Sequence, residues 1–230
     1  KDLRGLSAQA QAEALKAAHD AAVSTPFSLE QGPLFRAVLY RLGDAEHELV
    51  MSAHHVVCDG WSWVVITEQL GHLYAEQTGN GLRLKPAPSY ASFAAEEAAE
   101  AAHPDMQVHV DFWLEHYPGG TLPVTELPLD HLRPAARTFS SRRAERLLDR
   151  RLVTALRSMS AKTGASLFAG LLTGLVATLH RLTGQDDIVV GIPASGQIAR
   201  DMPDLVGHCV NLLPLRLSAH GQMRFDALLG

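Results

Sequence analysis

The stretch from His54 to Ser62, HHVVCDGWS, lies between two segments of different hydrophobic pattern. The residues before it, 48–53 (ELVMSA), have the composition of a half-buried strand. The residues after it, 63–70 (WVVITEQL), have the pattern of an amphipathic helix. The sequence therefore predicts a polar turn at the end of a strand, with two imidazoles and a carboxylate close together.

The two histidines of this turn are predicted to differ in role. Neighbouring side chains on a strand point to opposite faces, so His54 and His55 cannot both reach one substrate. We predict that one is catalytic and the other structural, and we assign proton chemistry to His55, because imidazole accepts and returns a proton near neutral pH. Asp59 is predicted to brace the loop through an arginine or a backbone amide, and Gly60 to let the backbone turn sharply. The alternative is a satisfied polar loop without chemistry.

The remaining polar groups of the turn leave alternatives open. The Ser62 hydroxyl or the Gly60 amide is a candidate for stabilising developing negative charge, but Ser62 is favoured as the N-cap of the following helix. Cys58 is disfavoured as a nucleophile, because adjacent residues seldom reach the geometry needed with His55. We predict no metal site, since His54 and His55 are poorly placed to share a metal and no Cys or His follows at ligand spacing.

Four other segments combine apolar residues with glycine, proline or polar residues at fixed positions: TPFSLEQGPLFRA at 25–37, LPLDHLRP at 127–134, LTGQDDIVVGIP at 182–193 and VGHCVNLLPLR at 206–216. With the histidine turn, and in this order, they resemble the condensation domains of nonribosomal peptide synthetases, relatives of chloramphenicol acetyltransferase. The chain departs from the family pattern at three positions. Ser28 and Ser92 stand where the family has an acid, and Gln197 stands where many members have arginine.

The resemblance implies an α+β fold of two-layer sandwich subdomains of the chloramphenicol acetyltransferase type, with a mixed sheet and flanking helices. It implies that residues 1–125 are the latter part of an N-terminal subdomain, 126–137 a linker and 138–230 the front part of a C-terminal subdomain. Because family members extend beyond both ends, we expect the chain to be part of a longer protein. The resemblance places Asn211 in the cleft opposite the histidines. The residues themselves favour equally a buried amide that ties two strands. Ser195 is a candidate for the acceptor side or a turn residue.

The resemblance also implies an enzyme that forms an amide between an upstream carrier-bound acyl or peptidyl thioester and the amine of a downstream carrier-bound amino acid. The implied partners are peptidyl carrier proteins, or the acyl carrier protein of a polyketide module, and an adenylation domain. The domain itself is expected to bind no cofactor, because its substrates are held on phosphopantetheine. The alternatives are a stand-alone acyltransferase that uses coenzyme A or a carrier, and an epimerisation domain. An intact histidine turn disfavours a noncatalytic recruitment domain.

Composition agrees with a globular enzyme. The chain has 230 residues, of which 47% are hydrophobic, and a net charge of -5 with acids and bases interspersed, which gives no indication of nucleic-acid binding. We expect no membrane partner, because no apolar run reaches membrane-spanning length. Two distant cysteines, Cys58 and Cys209, and no recognisable secretory leader predict a cytoplasmic protein.

Coarse secondary structure and one charge cluster complete the predictions. Residues 34–42 and 46–53 read as a hairpin, and residues near 139–147 as a strand. Seven arginines lie within a short span, most simply as a solvated face: Arg133, Arg137, Arg142, Arg143, Arg146, Arg150 and Arg151. The alternative is that some of them guide an acidic carrier protein or its pantetheine phosphate.

Overall fold

The computed structural model describes residues 1–79, 84–136, 138 and 141–229. These form two compact units, Lys1–His103 with Ala194–Asn211, and Pro104–Pro193 with Leu212–Gly230. The elements in chain order are α1 (Ala8–Ser24), β1 (Phe35–Arg41), β2 (His47–Ala53), α2 (Gly60–Gln77), α3 (Tyr90–Ala101), α4 (Met106–His116), a 3₁₀ turn (Pro118–Gly120), α5 (Arg150–Lys162), α6 (Leu167–Thr183), β3 (Asp187–Ser195), α7 (Gly196–Ala199), β4 (Val210–Ser218) and α8 (Phe225–Leu229). Helices with two small sheets confirm the predicted α+β class.

The predicted hairpin is confirmed. Strands β1 and β2 pair antiparallel, from Phe35 opposite Ala53 to Arg41 opposite His47. Asp2 adds a parallel bridge to Arg41 at the edge of this pair. Side chains of β1 alternate between exposed and more buried positions, as expected for a strand with one face covered. The hairpin delivers the chain to the histidine turn directly after Ala53.

Most helices begin at a side chain that accepts a hydrogen bond from the first turn. Ser7, Ser89, Asp149 and Ser166 each occupy the N-cap and accept from a backbone N–H two or three residues ahead. Helix α6 ends at Gly184, which adopts the left-handed conformation with φ of 70° that glycine tolerates without a Cβ clash. Local sequence thus determines where these helices begin and end.

Each unit has its own small apolar core. In the first unit, Phe93, Leu205 and Cys209 are buried together, with Met202 against them. In the second unit the buried residues come from α6, from β3 and from the position directly after β4, namely Val176, Ile188 and Ala219. The first core adjoins the histidine turn, because Cys209 belongs to this core and its N–H also donates to Asp59.

The strand predicted near 139–147 is not confirmed. The strand predicted near 139–147 begins at residues outside the described part of the chain, and its described residues, 141–147, contain no strand. That prediction is wrong for 141–147, since a strand requires a hydrogen-bonded partner and a suitable pattern alone does not supply one.

No single helix among the described residues is long and apolar enough to cross a membrane. The pair α5 and α6, bent by 101°, reaches the length and composition of a membrane span only when the two helices are taken together.

Candidate active site

The histidine turn follows β2 and leads into α2, all within the first unit. The His54 N–H donates to Leu34 O at 2.9 Å, and the Val57 N–H donates to His54 O at 3.0 Å, which closes the turn. The histidines therefore lie just past the strand and not on it. Their imidazoles still make different contacts, but the cause is the turn and not strand alternation.

His54 is used within the turn itself. Its Nδ1 accepts from the Val56 N–H at 3.1 Å, and its ring meets the edge of Phe27 at a centroid distance of 6.1 Å. A ring held at one nitrogen by the backbone and packed nearly perpendicular to an aromatic neighbour has a fixed orientation. These contacts suit the structural role that was predicted for one of the two histidines.

His55 is exposed and contacts a histidine from a distant part of the chain. Its Nδ1 lies 3.1 Å from Nδ1 of His208, and the two rings meet edge to face at a centroid distance of 5.0 Å. No described residue forms a hydrogen bond with Nε2 of His55. The ring of this exposed residue is thus held at one nitrogen and makes no hydrogen bond at the other within the described part of the chain, which is an arrangement that suits a base acting on a bound substrate.

Asp59 is buried, with 1% of its surface exposed, and both of its oxygens are occupied. Oδ1 accepts from the Ser62 N–H at 2.8 Å and from the Ser62 hydroxyl at 2.7 Å. Oδ2 accepts from the Cys209 N–H at 3.1 Å and from Nε2 of Gln197 at 3.3 Å. Burial alone raises the pKa of Asp59, but these donors together hold it below its ordinary value. The predicted brace through a backbone amide is present.

Two predictions about the start of α2 are wrong. Asp59, and not Ser62, is the N-cap, and the two form a capping box in which Ser62 occupies the third helical position. Gly60 does not make a sharp turn. It is the first residue of α2, its φ is outside the left-handed region, and an added Cβ would meet nothing within 4 Å. Asp59 and Ser62 are both preferred N-cap residue types, so the sequence alone did not decide which of the two caps α2.

Ser62 connects the turn to the segment 207–209. Its buried hydroxyl oxygen accepts from the Gly207 N–H at 3.0 Å and lies 2.9 Å from Gly207 O. The hydroxyl has one hydrogen, which the Asp59 carboxylate attracts more strongly than a neutral carbonyl does. Ser62 therefore ties the start of α2 to the segment 207–209, and its candidate role toward a substrate and its developing negative charge stays a prediction.

Neither cysteine in this region is a thiolate near neutral pH. Burial raises the pKa of Cys58 and, with the charge of Asp59, raises that of Cys209 to about 11. A thiol must ionise to become a strong nucleophile. This agrees with the sequence interpretation that disfavoured a cysteine mechanism.

The predicted substrate-side residues lie on the segment that joins β3 to β4. Ser195 ends β3 and stands at the N-cap of α7, but its side chain makes no capping bond. Asn211 is exposed on β4, so the expectation of a buried amide is wrong. Its apolar neighbours in the sequence overestimated its burial, because the next two residues, Leu212 and Leu213, are exposed as well. Their roles toward a substrate stay predictions.

Sequence reasoning missed two contributors to this site. Gln197 is fully buried, supplies an amide to Asp59 and leaves its own Oε1 without a hydrogen bond to the described residues. The sequence signal was its position where many members of the family have arginine. His208 was visible only as a residue within the 206–216 motif. Among the described residues, no group of three or more His, Cys, Asp or Glu side chains is arranged to hold a metal ion.

Comparisons with known proteins agree over the whole chain. A family model described as "Condensation domain" matches residues 1–230. Phosphinothricin tripeptide synthetase PhsC of Streptomyces viridochromogenes is 37% identical over 232 residues, which cover 99% of this chain and 21% of that protein. Tyrocidine synthase 3 of Brevibacillus parabrevis is 36% identical over 204 residues, which cover 89% of this chain and 3% of that protein.

A solved structure shows the same fold. The first condensation domain of the calcium-dependent antibiotic synthetase, in complex with a substrate analogue, superposes with a TM-score of 0.73 at 27% identity, over 99% of this chain and 51% of that chain. The present chain thus spans about half of the solved domain's length, 21% of the first peptide synthetase and 3% of the second.

Proposed function

Because the chain belongs to the condensation-domain family, we propose that it is part of an enzyme that joins a carrier-bound acyl or peptidyl thioester to the amine of a second carrier-bound amino acid. The observation that carries the proposal is His55, whose Nδ1 is engaged and whose Nε2 is free on a turn braced by a buried carboxylate. In this step the amine nitrogen bonds to the carbonyl carbon and the carbon–sulfur bond breaks. The amine proton ends on the departing thiolate.

His55 serves this reaction by accepting the amine proton at Nε2 or by orienting the amine as a hydrogen-bond acceptor. Both uses require the same fixed ring, and no covalent acyl-enzyme is needed. Thioester aminolysis gains much of its rate from holding the two reactants together, so positioning alone accounts for part of the effect. The Gly60 amide is a candidate, beside the Ser62 hydroxyl, near the developing negative charge, because Gly60 is exposed as the first residue of α2.

The partners follow from the reaction. Both substrates are held on the phosphopantetheine arms of carrier proteins, upstream and downstream, and an adenylation domain loads the acceptor. We propose that Asn211 and Ser195 lie toward the acceptor substrate, and that residues 1–125 and 138–230, joined by 126–137, belong to two subdomains. Two buried free cysteines support a reducing, cytoplasmic location.

The test is single-turnover amide formation, followed by mass spectrometry, with the full-length protein that contains this chain and with loaded donor and acceptor carriers. His55→Ala should reduce the rate by about 100-fold or more, the range for loss of general acid–base catalysis. His72→Ala, a histidine on the exposed surface of α2, is the matched control and should keep the rate. No amide from the wild type, together with acyl transfer from coenzyme A or a racemised aminoacyl carrier, would overturn the proposal.

The arginine cluster provides a test of carrier docking. Arg142 and Arg143 are exposed, and Arg143 pairs with Glu145 at 2.6 Å, while Arg137 lies outside the described residues. Reversal of the two charges by Arg142→Glu and Arg143→Glu should raise the KM for the carrier-bound substrate at low salt and leave kcat unchanged. Arg181→Glu, on α6, is the control. An unchanged KM would leave the cluster as a solvated face.

A further inference from the structure

We propose that His208 is a positioning residue for the reaction, and that its Nδ1 orients the His55 ring and accepts from the Nδ1–H of the tautomer that leaves Nε2 of His55 with its lone pair. The inference rests on the proposed function and deepens it. The starting observation is the 3.1 Å separation of the two Nδ1 atoms, with the rings inclined at 78°. No acidic side chain or backbone carbonyl takes this place on His55 among the described residues.

A hydrogen bond between two imidazole nitrogens needs one N–H and one lone pair. When both rings are neutral, one of His55 and His208 therefore carries its hydrogen on Nδ1 and the other does not. If His55 donates, its Nε2 has a lone pair and can accept from a substrate amine. If His208 donates, the hydrogen of His55 is on Nε2 and the ring cannot act as a base there.

A bound amine selects the productive arrangement, because its N–H needs an acceptor at Nε2 of His55. Transfer of the proton to Nε2 makes His55 an imidazolium, whose Nδ1–H then donates to a neutral Nδ1 of His208. A hydrogen bond from a charged donor is roughly twice as strong as one between neutral groups. The contact therefore strengthens as the amine loses its proton, which is the condition for a gain in kcat.

His208 is held in place by the same groups that hold the histidine turn. The residue before it, Gly207, is fixed through its N–H to the Ser62 hydroxyl oxygen, and the residue after it, Cys209, is fixed through its N–H to Asp59. The His208 carbonyl accepts from the Tyr90 hydroxyl at 3.0 Å. The backbone on both sides of His208 is thus anchored to the capping box that begins four residues after His55.

Close packing between Gly207 and the Tyr90 ring also holds the segment that carries His208. A Cβ at Gly207 would lie 2.2 Å from Cδ2 of Tyr90, so only glycine allows the tyrosine ring to approach. The Cys209 carbonyl also accepts from the Gly196 N–H at 2.7 Å. Asp59 therefore acts on the reaction through two routes, by holding the turn that carries His55 and by holding the segment that carries its partner.

The experiment uses His208→Ala and His208→Asn in the full-length protein with loaded carriers. His208→Ala removes the acceptor and should lower the single-turnover rate constant by about 10- to 100-fold, the range by which partners that orient metal-bound imidazoles contribute, with little change in the carrier concentration that gives half the maximal rate. In His208→Asn, Oδ1 is attached to Cγ as Nδ1 is in histidine, so an acceptor remains and most of the rate should return. In a His55→Ala background, His208→Ala should cause no further loss.

A second measurement reads the tautomer without activity. Magic-angle-spinning ¹⁵N spectra of the histidine-labelled protein, assigned by difference against His55→Ala, should show His55 with its hydrogen on Nδ1 in the presence of a carrier-bound acceptor amine. That signal should weaken in His208→Ala and persist in His208→Asn. The control His72→Ala should leave it unchanged.

The outcomes separate the two proposals. If the wild type forms the amide and His208→Ala retains the full rate, the role of His208 is overturned and the proposed function stands. If the wild type forms no amide, the proposed function fails, and the tautomer signal alone then decides whether His208 positions His55. An unchanged His55 signal in His208→Ala overturns the inference in either case.

Discussion

Two groups of histidine and aspartate side chains lie in different units of the molecule, and they use their carboxylates differently. In the first unit, the buried Asp59 holds the N–H groups of Ser62 and Cys209, and so fixes backbone on both sides of the site. In the second unit, Asp186 contacts two histidines directly, at 3.3 Å from His180 Nδ1 and 3.1 Å from His220 Nδ1, but its side chain is 55% exposed.

By contacts alone the second group resembles a catalytic triad more closely. Ser218 Oγ lies 3.2 Å from His220 Nε2, which completes the order serine, histidine and aspartate. The His220 side chain is 59% exposed, however, and the Asp186 carboxylate that contacts it is 55% exposed, so water competes for both contacts, whereas Asp59 is buried. A site that can hold a reactive geometry is therefore distinguished by a buried carboxylate that anchors the backbone, and not by the order of serine, histidine and aspartate contacts.

The largest expected effect is the loss of the anchor at Asp59. Asp59→Ala leaves the N–H groups of Ser62 and Cys209 and the amide of Gln197 buried without an acceptor, which should cost about 3 kcal/mol of local stability. Hydrogen-exchange mass spectrometry of the peptides around Ser62 and Cys209 in the full-length protein measures this loss.

The matched control for that variant is Asp186→Ala in the second unit. Because Asp186 is exposed, its removal should change local stability by less than about 1 kcal/mol. Equal losses of protection in the two variants would show that burial does not separate the two carboxylates, and the comparison would fail.

The next effect is steric and concerns the segment that carries His208. Gly207→Ala places a methyl group 2.2 Å from Cδ2 of Tyr90, and the resulting overpacking should cost about 1–3 kcal/mol. Gly174→Ala is the control, because an added Cβ there meets nothing within 4 Å, and inside α6 it should stabilise the helix by up to about 1 kcal/mol.

Hydrogen exchange of the 200–211 peptide and of the α6 peptide measures the change in local stability that each of the two glycine substitutions causes. A Gly207→Ala protein with wild-type protection would mean that the Tyr90 ring moves aside at no cost. In that case the segment around His208 is not anchored as described.

How much of this was accessible from sequence depends on the distance between the residues involved. The hairpin and the helix starts follow from local patterns, and Asp59 was identified as a brace. The capping residue was misassigned because Asp59 and Ser62 are both good N-caps three residues apart, and a capping box uses both. Local propensity does not choose between them.

The contacts that complete the site join residues far apart in the chain. Asp59 and Cys209 are separated by 150 positions, and His55 and His208 by 153. No periodicity or spacing rule reaches across such a gap, and only the fold brings the 206–216 motif to the turn. The strand predicted near 139–147 failed for the related reason that pairing partners are not a local property.

A third effect concerns acid. The pKa of Asp59 is lower in the folded protein than its value of about 3.9 in the unfolded chain. The carboxylate therefore stabilises the fold fully when the pH is above the unfolded pKa, and this contribution is lost as the pH falls through the folded pKa. In Asp59→Asn, Gln197 can turn its free Oε1 toward the new amide, so the loss at pH 7 should be smaller than in Asp59→Ala. The difference in stability between wild type and Asp59→Asn should be constant from pH 7 to about 5 and shrink below about 4.

Urea unfolding of both proteins across that range, monitored through the protection of the Ser62 peptide, checks the sign. A difference that persists undiminished at pH 2 would mean that Asp59 is not ionised in the fold. The same series in high salt should change little, because a buried carboxylate with neutral donors is weakly screened.

The smallest expected effect is none, and it tests the other side of the comparison. Ser218→Ala and His220→Ala should leave amide formation unchanged, because these exposed side chains lack the fixed geometry that nucleophilic catalysis needs. A fluorophosphonate probe, which reacts with activated serines, should leave Ser218 unmodified by peptide mass spectrometry. Labelling of Ser218 that disappears in His220→Ala would show that an exposed histidine and carboxylate activate a serine here without burial, and the criterion that separates the two units would have to be abandoned.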